Sequence, residues 1–146
     1  PVIDKFVRAS LKKSVRNSDC AAKALIDRQS GELIGICTFT AYSLEKQRVS
    51  GVLQGSQPSE IGVVRLVMLG VARKYQKRGF GQDLLCDFFE HVKIIHQALP
   101  IKGVYLDADP AAINFYARLG FVQLSATPNA FGAVPMFLAI QHILAA

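Results

Sequence analysis

The feature that most constrains the fold is a long apolar segment that runs through two glycines into a helical pattern. The segment "VVRLVMLGVA", Val63 to Ala72, is rich in β-branched residues and almost continuously apolar, which is typical of a central strand covered on both faces. After "RKYQKRGFGQD", apolar residues recur at helical spacing from Leu84 to Ile95, which predicts an amphipathic helix. The other elements must be arranged around this strand, turn and helix.

Before this unit the sequence predicts a helix, a hairpin and a loop. Apolar residues at helical spacing predict a helix over residues 2–17, with its lysines and arginines outward. Two apolar runs joined by Gln29-Ser30-Gly31-Glu32 predict an antiparallel hairpin. Ser43 to Gly62 is polar, with three glycines and Pro58, so we expect a functional loop that contributes nothing to the core.

After this unit the sequence predicts a strand, a short helix and two further strands. "GVYLDA", Gly103 to Ala108, is the strand, and Asp109 is the expected N-cap of a helix over Pro110 to Leu119 that Gly120 ends. "FVQL" and "VPMFLAI" are the last strands. We therefore expect a single α/β (α+β) domain over residues 1–146, with a mixed central β-sheet flanked by helices, and Pro1 in place of Met suggests a trimmed start.

Composition excludes several classes of protein. With 51% hydrophobic and 19% charged residues, the chain is not disordered. Charges interrupt every apolar run, so no segment of about 18 apolar residues predicts a membrane span. The sequence opens on no secretory signal, and we expect a soluble, cytoplasmic protein without a membrane partner.

The cysteines and histidines favour neither a disulfide framework nor a metal site. The cysteines are few, far apart and set among apolar residues, so we expect buried thiols in a reducing compartment; they are Cys20, Cys37 and Cys86. His91 and His96 are not at the i,i+3 or i,i+4 spacing of helical metal ligands. We expect no metal.

Basic residues concentrate in two patches, within a net charge of +6. Both patches favour a polyanionic partner, although a solvated helix face explains the first patch equally well. The first comprises Lys5, Arg8, Lys12, Lys13 and Arg16, and the second comprises Arg73, Lys74, Lys77 and Arg78.

The second patch adjoins a loop suited to phosphate. A helix that starts after Gly79-x-Gly81 leaves its first backbone N–H groups without intrahelical partners, and such a terminus binds anions. Glycines at these positions can take a positive φ and let a phosphate approach closely, while Lys77 and Arg78 add positive charge. The third glycine of a dinucleotide fingerprint is replaced by Leu84, and the lysine of a P-loop is absent.

Two motifs carry a resemblance to a known family. The pattern Gln76-x-x-Gly79-x-Gly81 resembles the acyl-CoA pyrophosphate loop of the GCN5-related N-acetyltransferases (GNAT). "AAINFYARLGF", Ala111 to Phe121, is similar to the late helix and strand entry of that family. The resemblance covers about residues 20–140. One position departs from it, because the asparagine that the family often carries seven positions before the tyrosine is Asp109 here.

The resemblance implies a fold, a co-substrate and a set of site residues. It implies an acetyl-CoA site at a splayed central strand and the N-terminus of the following helix. The backbone of Leu69 and Val71 would pair with the pantetheine arm, and Tyr116 would be the general acid that protonates the departing thiolate. The residues implied at the diphosphate are Gln76, Lys77, Arg78, Gly79, Phe80, Gly81 and Gln82.

Two alternatives concern the catalytic groups. Tyr116 could instead only pack against Phe115 and Phe121. Cys86 is disfavoured as a nucleophile, because it lies in an apolar helical run without a histidine or cation to lower its pKa.

No carboxylate stands out as a general base, the candidates being Glu45, Glu60 and Asp107. A lysine or polyamine amine, with a pKa of about 10.4, needs such a base at neutral pH. An α-amino group titrates at about 7.7 to 8.0, and lower still beside an ester, so the sequence favours an α-amine acceptor.

Among acetyltransferases, the chain is most similar to the bacterial toxins that acetylate the amino acid on charged tRNA. That resemblance implies aminoacyl-tRNA as substrate, an antitoxin of ribbon-helix-helix type as protein partner, and leaves a homodimer open. Arg73 and Lys74, with Arg8 and Lys12, would track the tRNA backbone. A small-molecule or protein N-acetyltransferase, and an inactive acyl-CoA-binding module, are the alternatives.

Overall fold

The computed structural model describes residues 19–146, so the helix predicted over residues 2–17 lies outside the described residues. Short 3₁₀ turns precede or connect several elements, at Lys46–Val49, Arg73–Tyr75 and Pro110–Ala112. The strands and helices are β1 (Ala21–Ile26), β2 (Leu33–Glu45), β3 (Glu60–Val71), α1 (Phe80–Ala98), β4 (Gly103–Ala108), α2 (Ile113–Arg118), β5 (Val122–Gln123), β6 (Val134–Ala139) and α3 (Ile140–Ala145).

The six strands form one sheet in the order β1-β2-β3-β4-β6-β5. β1 pairs antiparallel with β2, and β6 pairs antiparallel with both β4 and β5. β3 and β4 are neighbours connected through α1, and the Lys102 N–H donates to the Gly62 carbonyl at 2.9 Å, so both strands start at the same end, as a parallel pair does. The predicted mixed sheet is confirmed.

The chain divides into two compact units. The described part of the first comprises residues 19–40 and Leu66–Val92, and its core forms between β2 and α1, where the Phe39 and Phe88 ring centroids lie 5.0 Å apart. A Cβ built at Gly35 would approach the Gly70 carbonyl oxygen to 3.0 Å. Glycine at this position therefore lets β2 and β3 approach closely.

The second unit comprises Ala41–Arg65 and Lys93–Ala146. Gly103 allows β4 to lie against β6, because a Cβ there would come within 2.2 Å of the Leu138 carbonyl oxygen. Its core joins residues of β2, the 3₁₀ turn after it, β3, β4 and β6: Leu44, Val49, Ile61, Val63, Tyr105, Phe137 and Ala139.

The structure corrects three predictions about these elements. Ser43 to Gly62 is only partly a loop, because β2 continues to Glu45 and Val49 is buried in the core of the second unit. β3 is not covered throughout, since Val67 is 49% exposed and Met68 to Val71 are half-buried. The chain also ends in α3, whose first residue had been assigned to the last strand.

None of the helices in the described residues is both long and apolar enough to cross a membrane.

Candidate active site

The loop between β3 and α1 has the curled backbone that a phosphate site needs. Lys77 and Gly79 take positive φ values of 64° and 82°, and α1 begins at Phe80. Gly81 lies in the first turn of this helix and has no positive φ, so of the two glycines only Gly79 uses the left-handed region. A Cβ at Gly79 would have no atom within 4 Å, which leaves open space beside the helix terminus.

The Gln76 side chain closes the start of this loop. Its Nε2 donates a hydrogen bond of 3.0 Å to the Val71 carbonyl. The half-buried end of β3, with Leu69 and Val71, therefore connects to the loop by a side chain as well as by the backbone. In the described structure Gln76 thus has a structural contact at the position where the resemblance implies a co-substrate contact.

The hairpin turn between β1 and β2 is joined to the start of the loop by polar contacts of Asp27 and Glu32 with Lys74 and Tyr75, which we call the brace. The buried Tyr75 hydroxyl lies 3.0 Å from Glu32 Oε2 and 3.5 Å from Asp27 Oδ2. Lys74 Nζ lies 2.6 Å from the same Glu32 oxygen. Lys74, predicted to contact tRNA, is thereby paired with a carboxylate.

Hydrogen bonds also perturb the ionisation of this brace. Backbone N–H groups of Gln29 and Ser30 lower the pKa of Asp27, and the hydrogen bond from Lys74 lowers the pKa of Glu32. Burial raises the pKa of Tyr75, so its phenol is protonated at neutral pH and donates to the carboxylates.

We expect the brace to weaken in acid. Because the pKa values of Asp27 and Glu32 are lowered by folding, their stabilising effect is complete above the ordinary carboxyl pKa of about 4 and disappears as the pH falls through the lowered values. Thermal unfolding of Glu32→Gln should differ from wild type at pH 7, and the difference should shrink as the pH falls below the ordinary carboxyl range through the lowered pKa of Glu32. A Glu60→Gln control, at an exposed position of β3, should show no such convergence.

Three cations of the second basic patch remain available to an anion. Arg73, Lys77 and Arg78 are exposed, and the Arg78 guanidinium lies 5.7 Å from the Tyr75 ring centroid and 5.8 Å from that of Phe80. The first N–H groups of α1 lack intrahelical partners by the geometry of any helix start. These amides and cations fit the charge and reach of a diphosphate.

Tyr116 is held by its aromatic neighbours in α2. The ring is half-buried, with its centroid 5.1 Å from that of Phe115 and 5.6 Å from that of Phe121. Gly120, at φ +104°, ends the helix as predicted, and the Phe121 N–H donates to the Tyr116 carbonyl at 3.2 Å. The Tyr116 ring therefore packs against Phe115 and Phe121, as the alternative interpretation expects. The catalytic role of its hydroxyl stays a prediction.

The start of this helical segment also follows the prediction. Asp109 Oδ1 accepts a 2.9 Å hydrogen bond from the Ala111 N–H, and Pro110 occupies the first turn. This turn is 3₁₀ before α2 begins at Ile113.

Sequence reasoning missed a polar network in the second unit. Arg48 Nη2 donates to the Tyr105 hydroxyl at 2.9 Å, and that hydroxyl donates to Asp107 Oδ1 at 2.7 Å. Arg65 Nη2 lies 3.3 Å from Asp107 Oδ2 and its guanidinium lies 5.2 Å from the Tyr42 ring centroid. Burial, followed by the bond to Asp107, raises the pKa of Tyr105.

This network bears on the three candidates for the general base, Glu45, Glu60 and Asp107. Asp107 is engaged by Arg65 and Tyr105, whereas Glu45 and Glu60 are exposed. Their assignment as a base therefore gains no support from the structure. The network escaped the sequence analysis because its partners are 42 and 57 residues apart along the chain.

The cysteines differ in exposure more than the sequence indicated. Cys37 is buried and its pKa is raised by burial to about 11, while Cys20 is half-buried. Cys86 is exposed, because it lies on the outer face of α1, and the expectation that it is buried was wrong. Across residues 19–146, no three His, Cys, Asp or Glu side chains form a group that could hold a metal ion.

Arg8 and Lys12, the other predicted tRNA contacts, lie outside the described residues. The structure brings Gln76 to Gln82 together at one loop and helix start in the first unit, whereas Tyr116 belongs to the second unit.

Solved structures with the same fold include several toxins. The crystal structure of a bacterial toxin is 99% identical, with a TM-score of 0.96 over 99% of this chain and 81% of that chain. A structure of KacT is 21% identical, with a TM-score of 0.82 over 99% of this chain and 85% of that one. AtaT complexed with acetyl-methionyl-tRNAfMet is 21% identical, with a TM-score of 0.81 and the same coverage; AtaT has also been solved with acetyl-CoA and the C-terminus of the antitoxin AtaR.

A comparison with curated proteins found no match. A family model described as an acetyltransferase (GNAT) domain matches residues 22–123, from the second residue of β1 to the end of β5, and so includes the loop before α1 and Tyr116. The chain therefore belongs to the acetyltransferase (GNAT) family, the GCN5-related N-acetyltransferases, whose members take the acetyl group from acetyl-CoA.

Proposed function

We propose that this protein is a toxin that transfers the acetyl group of acetyl-CoA to the α-amine of aminoacyl-tRNA and thereby blocks translation. The observation that carries the co-substrate half of the proposal is the loop before α1, where Lys77 and Gly79 curl the backbone beside exposed cations. The amides from Lys77 to Gln82 would hold the diphosphate. The backbone of Leu69 and Val71, at the half-buried end of β3, would pair with the pantetheine arm.

The transfer proceeds by direct attack of the amine on the thioester carbonyl carbon. A C–N bond forms, the C–S bond of the thioester breaks, and the sulfur leaves as the CoA thiolate. The surplus proton of the attacking nitrogen passes to water, and water returns a proton to Tyr116 after it has protonated the thiolate. Tyr116 gives its phenolic proton to that thiolate, since a phenol with a pKa of about 10 is protonated at neutral pH. The ring contacts with Phe115 and Phe121 restrict the orientation of the phenol.

An α-amine fits the acceptor better than a lysine amine does. Asp107 is held in hydrogen bonds and an ion pair, so it is poorly placed to deprotonate an ammonium group. The amino group of an aminoacyl ester is largely neutral already at pH 7 to 8 and needs no strong base. The 99% identical structure is that of a bacterial toxin, and AtaT of the same fold has been solved with acetyl-methionyl-tRNAfMet, which supports this acceptor.

The polyanionic acceptor would be attracted by exposed basic residues. Arg73, Lys77 and Arg78 are exposed and available to a phosphate, whereas Lys74 would have to leave Glu32 to reach one. Arg8 and Lys12 stay in the proposal as tRNA contacts. Binding should weaken steeply with salt, since each phosphate contact releases condensed counterions.

A toxin of this kind must be silenced while the cell grows. We propose an antitoxin of ribbon-helix-helix type, whose acidic or disordered tail covers the basic patches and folds on binding. The structure of AtaT with the C-terminus of AtaR is a precedent for such a contact. The reaction takes place in the cytoplasm, where the free thiols Cys20, Cys37 and Cys86 stay reduced. A homodimer is compatible with this proposal.

Gly79→Val should abolish tight acetyl-CoA binding. The side chain would meet no neighbour, so its effect comes from the backbone, because a β-branched residue is strained at a φ of +82°. We expect acetyl-CoA affinity, measured by calorimetry, to fall about 10- to 100-fold. Gly55→Val is the matched control, because it makes the same substitution at a φ of +80° outside this loop, with nothing within 4 Å of the added Cβ, and it should bind acetyl-CoA as wild type does. Equal affinities in Gly79→Val and wild type would remove the phosphate site.

The acceptor is identified by following labelled acetyl-CoA in a mixture of total aminoacyl-tRNA, polyamines and protein. The proposal predicts label on RNA that is released by mild alkaline hydrolysis of the aminoacyl ester. Label only on polyamines or protein would favour the second candidate, a small-molecule or protein N-acetyltransferase. Acetyl-CoA binding without any labelled product would indicate an inactive binding module.

A further inference from the structure

Arg48 combines exposure with a fixed position. It is an exposed residue in the 3₁₀ turn after β2, and its guanidinium lies 5.0 Å from the centroid of the buried Tyr105 ring. Its Nη2 donates one hydrogen bond, to the Tyr105 hydroxyl. A guanidinium has five N–H donors in a planar fork, and this bond uses one of them, so within the described residues four are left for another acceptor.

The direction of the hydrogen bonds fixes this arrangement. The Tyr105 hydroxyl has one proton, which it donates to Asp107 Oδ1 at 2.7 Å, so it accepts from Arg48. Asp107 is anchored in turn by Arg65 at 3.3 Å. Arg48 is therefore positioned by a chain of side chains from β3 and β4.

The charge of this network is not balanced. It contains two guanidiniums and one carboxylate, which leaves a surplus of one positive charge. Arg65 donates one hydrogen bond to the described residues, and its Nε is buried without a partner among them. The donors that an incoming anion can reach are therefore those of the exposed Arg48. The network therefore has the donors and the charge to bind one more anionic group.

The network lies in the same unit as Tyr116, the predicted general acid. Asp107 lies at the end of β4, directly before Asp109 and the helical segment that carries Tyr116. All of these residues belong to the second unit. None of them lies in the loop that would hold the diphosphate of acetyl-CoA.

We propose that Arg48, positioned by Tyr105 and Asp107, forms a binding subsite for a backbone phosphate of the RNA acceptor. This inference rests on the proposed function for the identity of the acceptor. The planar fork of arginine matches two oxygens of one phosphate. A phosphate contact of this kind positions RNA without reading its sequence.

Deacylated total tRNA is the probe, because its binding does not depend on the acetyl transfer. We expect Arg48→Ala to weaken tRNA binding about tenfold at low salt and to reduce the slope of log affinity against log salt by about 0.7 to 0.9. Arg48→Lys should restore the slope but not the full affinity. Tyr105→Phe, which keeps the ring and removes the hydroxyl, should lower affinity while leaving the slope near that of wild type.

Acetyl-CoA affinity separates this role from a structural one and should be unchanged in all three variants. Arg28→Ala removes one exposed charge from the hairpin turn of the first unit and is the matched control. An equal loss of tRNA affinity in Arg28→Ala and Arg48→Ala would show a general charge effect and overturn the subsite. A wild-type tRNA affinity in Arg48→Ala, with weaker binding of polyglutamate, would assign the site to an acidic peptide and also overturn it.

The two proposals fail separately in these experiments. If the wild-type protein acetylates aminoacyl-tRNA but Arg48→Ala binds tRNA as wild type does, only the subsite is wrong. If wild type acetylates no RNA but Arg48→Ala shows the predicted loss of tRNA affinity and slope, the subsite stands and the acceptor is wrong.

Discussion

Tyr116→Phe is expected to reduce acetyl transfer by about 10² to 10⁴, with little change in stability or acetyl-CoA affinity. The variant keeps the ring that packs between Phe115 and Phe121 and removes the hydroxyl whose proton the departing thiolate needs. Steady-state rates with aminoacyl-tRNA measure the loss. Expression of the variant should no longer arrest growth.

Cys86→Ser is the control for this experiment, because Cys86 is an exposed thiol of α1 and the alternative nucleophile. It should acetylate at the wild-type rate. Wild-type turnover in Tyr116→Phe would show that the tyrosine only packs in α2, and a large loss in Cys86→Ser would point to an acyl-enzyme instead.

Gly103→Ala should destabilise the protein by about 3 kcal/mol, or roughly 6 to 12 °C in Tm. The added Cβ would lie 2.2 Å from the Leu138 carbonyl oxygen and 2.6 Å from the Phe137 ring, so β4 and β6 would have to separate at that pair. Differential scanning calorimetry measures the change.

Gly62→Ala is the matched control, since it makes the same substitution in β3, where a Cβ would have nothing within 4 Å. It should be neutral or slightly stabilising, because alanine restricts the unfolded chain. Equal stability of the two variants would contradict the close approach of β4 and β6 at Gly103.

Apolar spacing and capping residues, which act over a few neighbouring positions, correctly predicted several strands and helices. The strand Gly103 to Ala108 has the predicted limits, and Asp109 and Gly120 cap the following helical segment as expected. The strand, loop and helix around Gly79 were also found, because their apolar spacing is long and regular. The GNAT family prediction, which rested on these segments, is confirmed.

Features set by distant parts of the chain escaped the sequence analysis. Val49 sits in a polar stretch but is buried, because the 3₁₀ turn places it against residues of β3, β4 and β6. α3 follows β6 without a glycine or proline between them; at the junction the Ile140 N–H donates to the Lys102 carbonyl. The partners of Lys74 and Arg48 are likewise remote in sequence. Tyr116 as general acid, the co-substrate contacts and the single domain over residues 1–146 stay predictions.

The central claim is that the acetyl group is added to the α-amine of an amino acid esterified to tRNA. The most direct measurement is mass spectrometry of the aminoacyl-adenosine released by nuclease digestion, after charged tRNA has been incubated with acetyl-CoA and the purified protein. The account predicts an aminoacyl-adenosine heavier by one acetyl group with the wild-type protein, and almost none with Tyr116→Phe. An unmodified aminoacyl-adenosine, at protein concentrations that acetylate other amines, would contradict it.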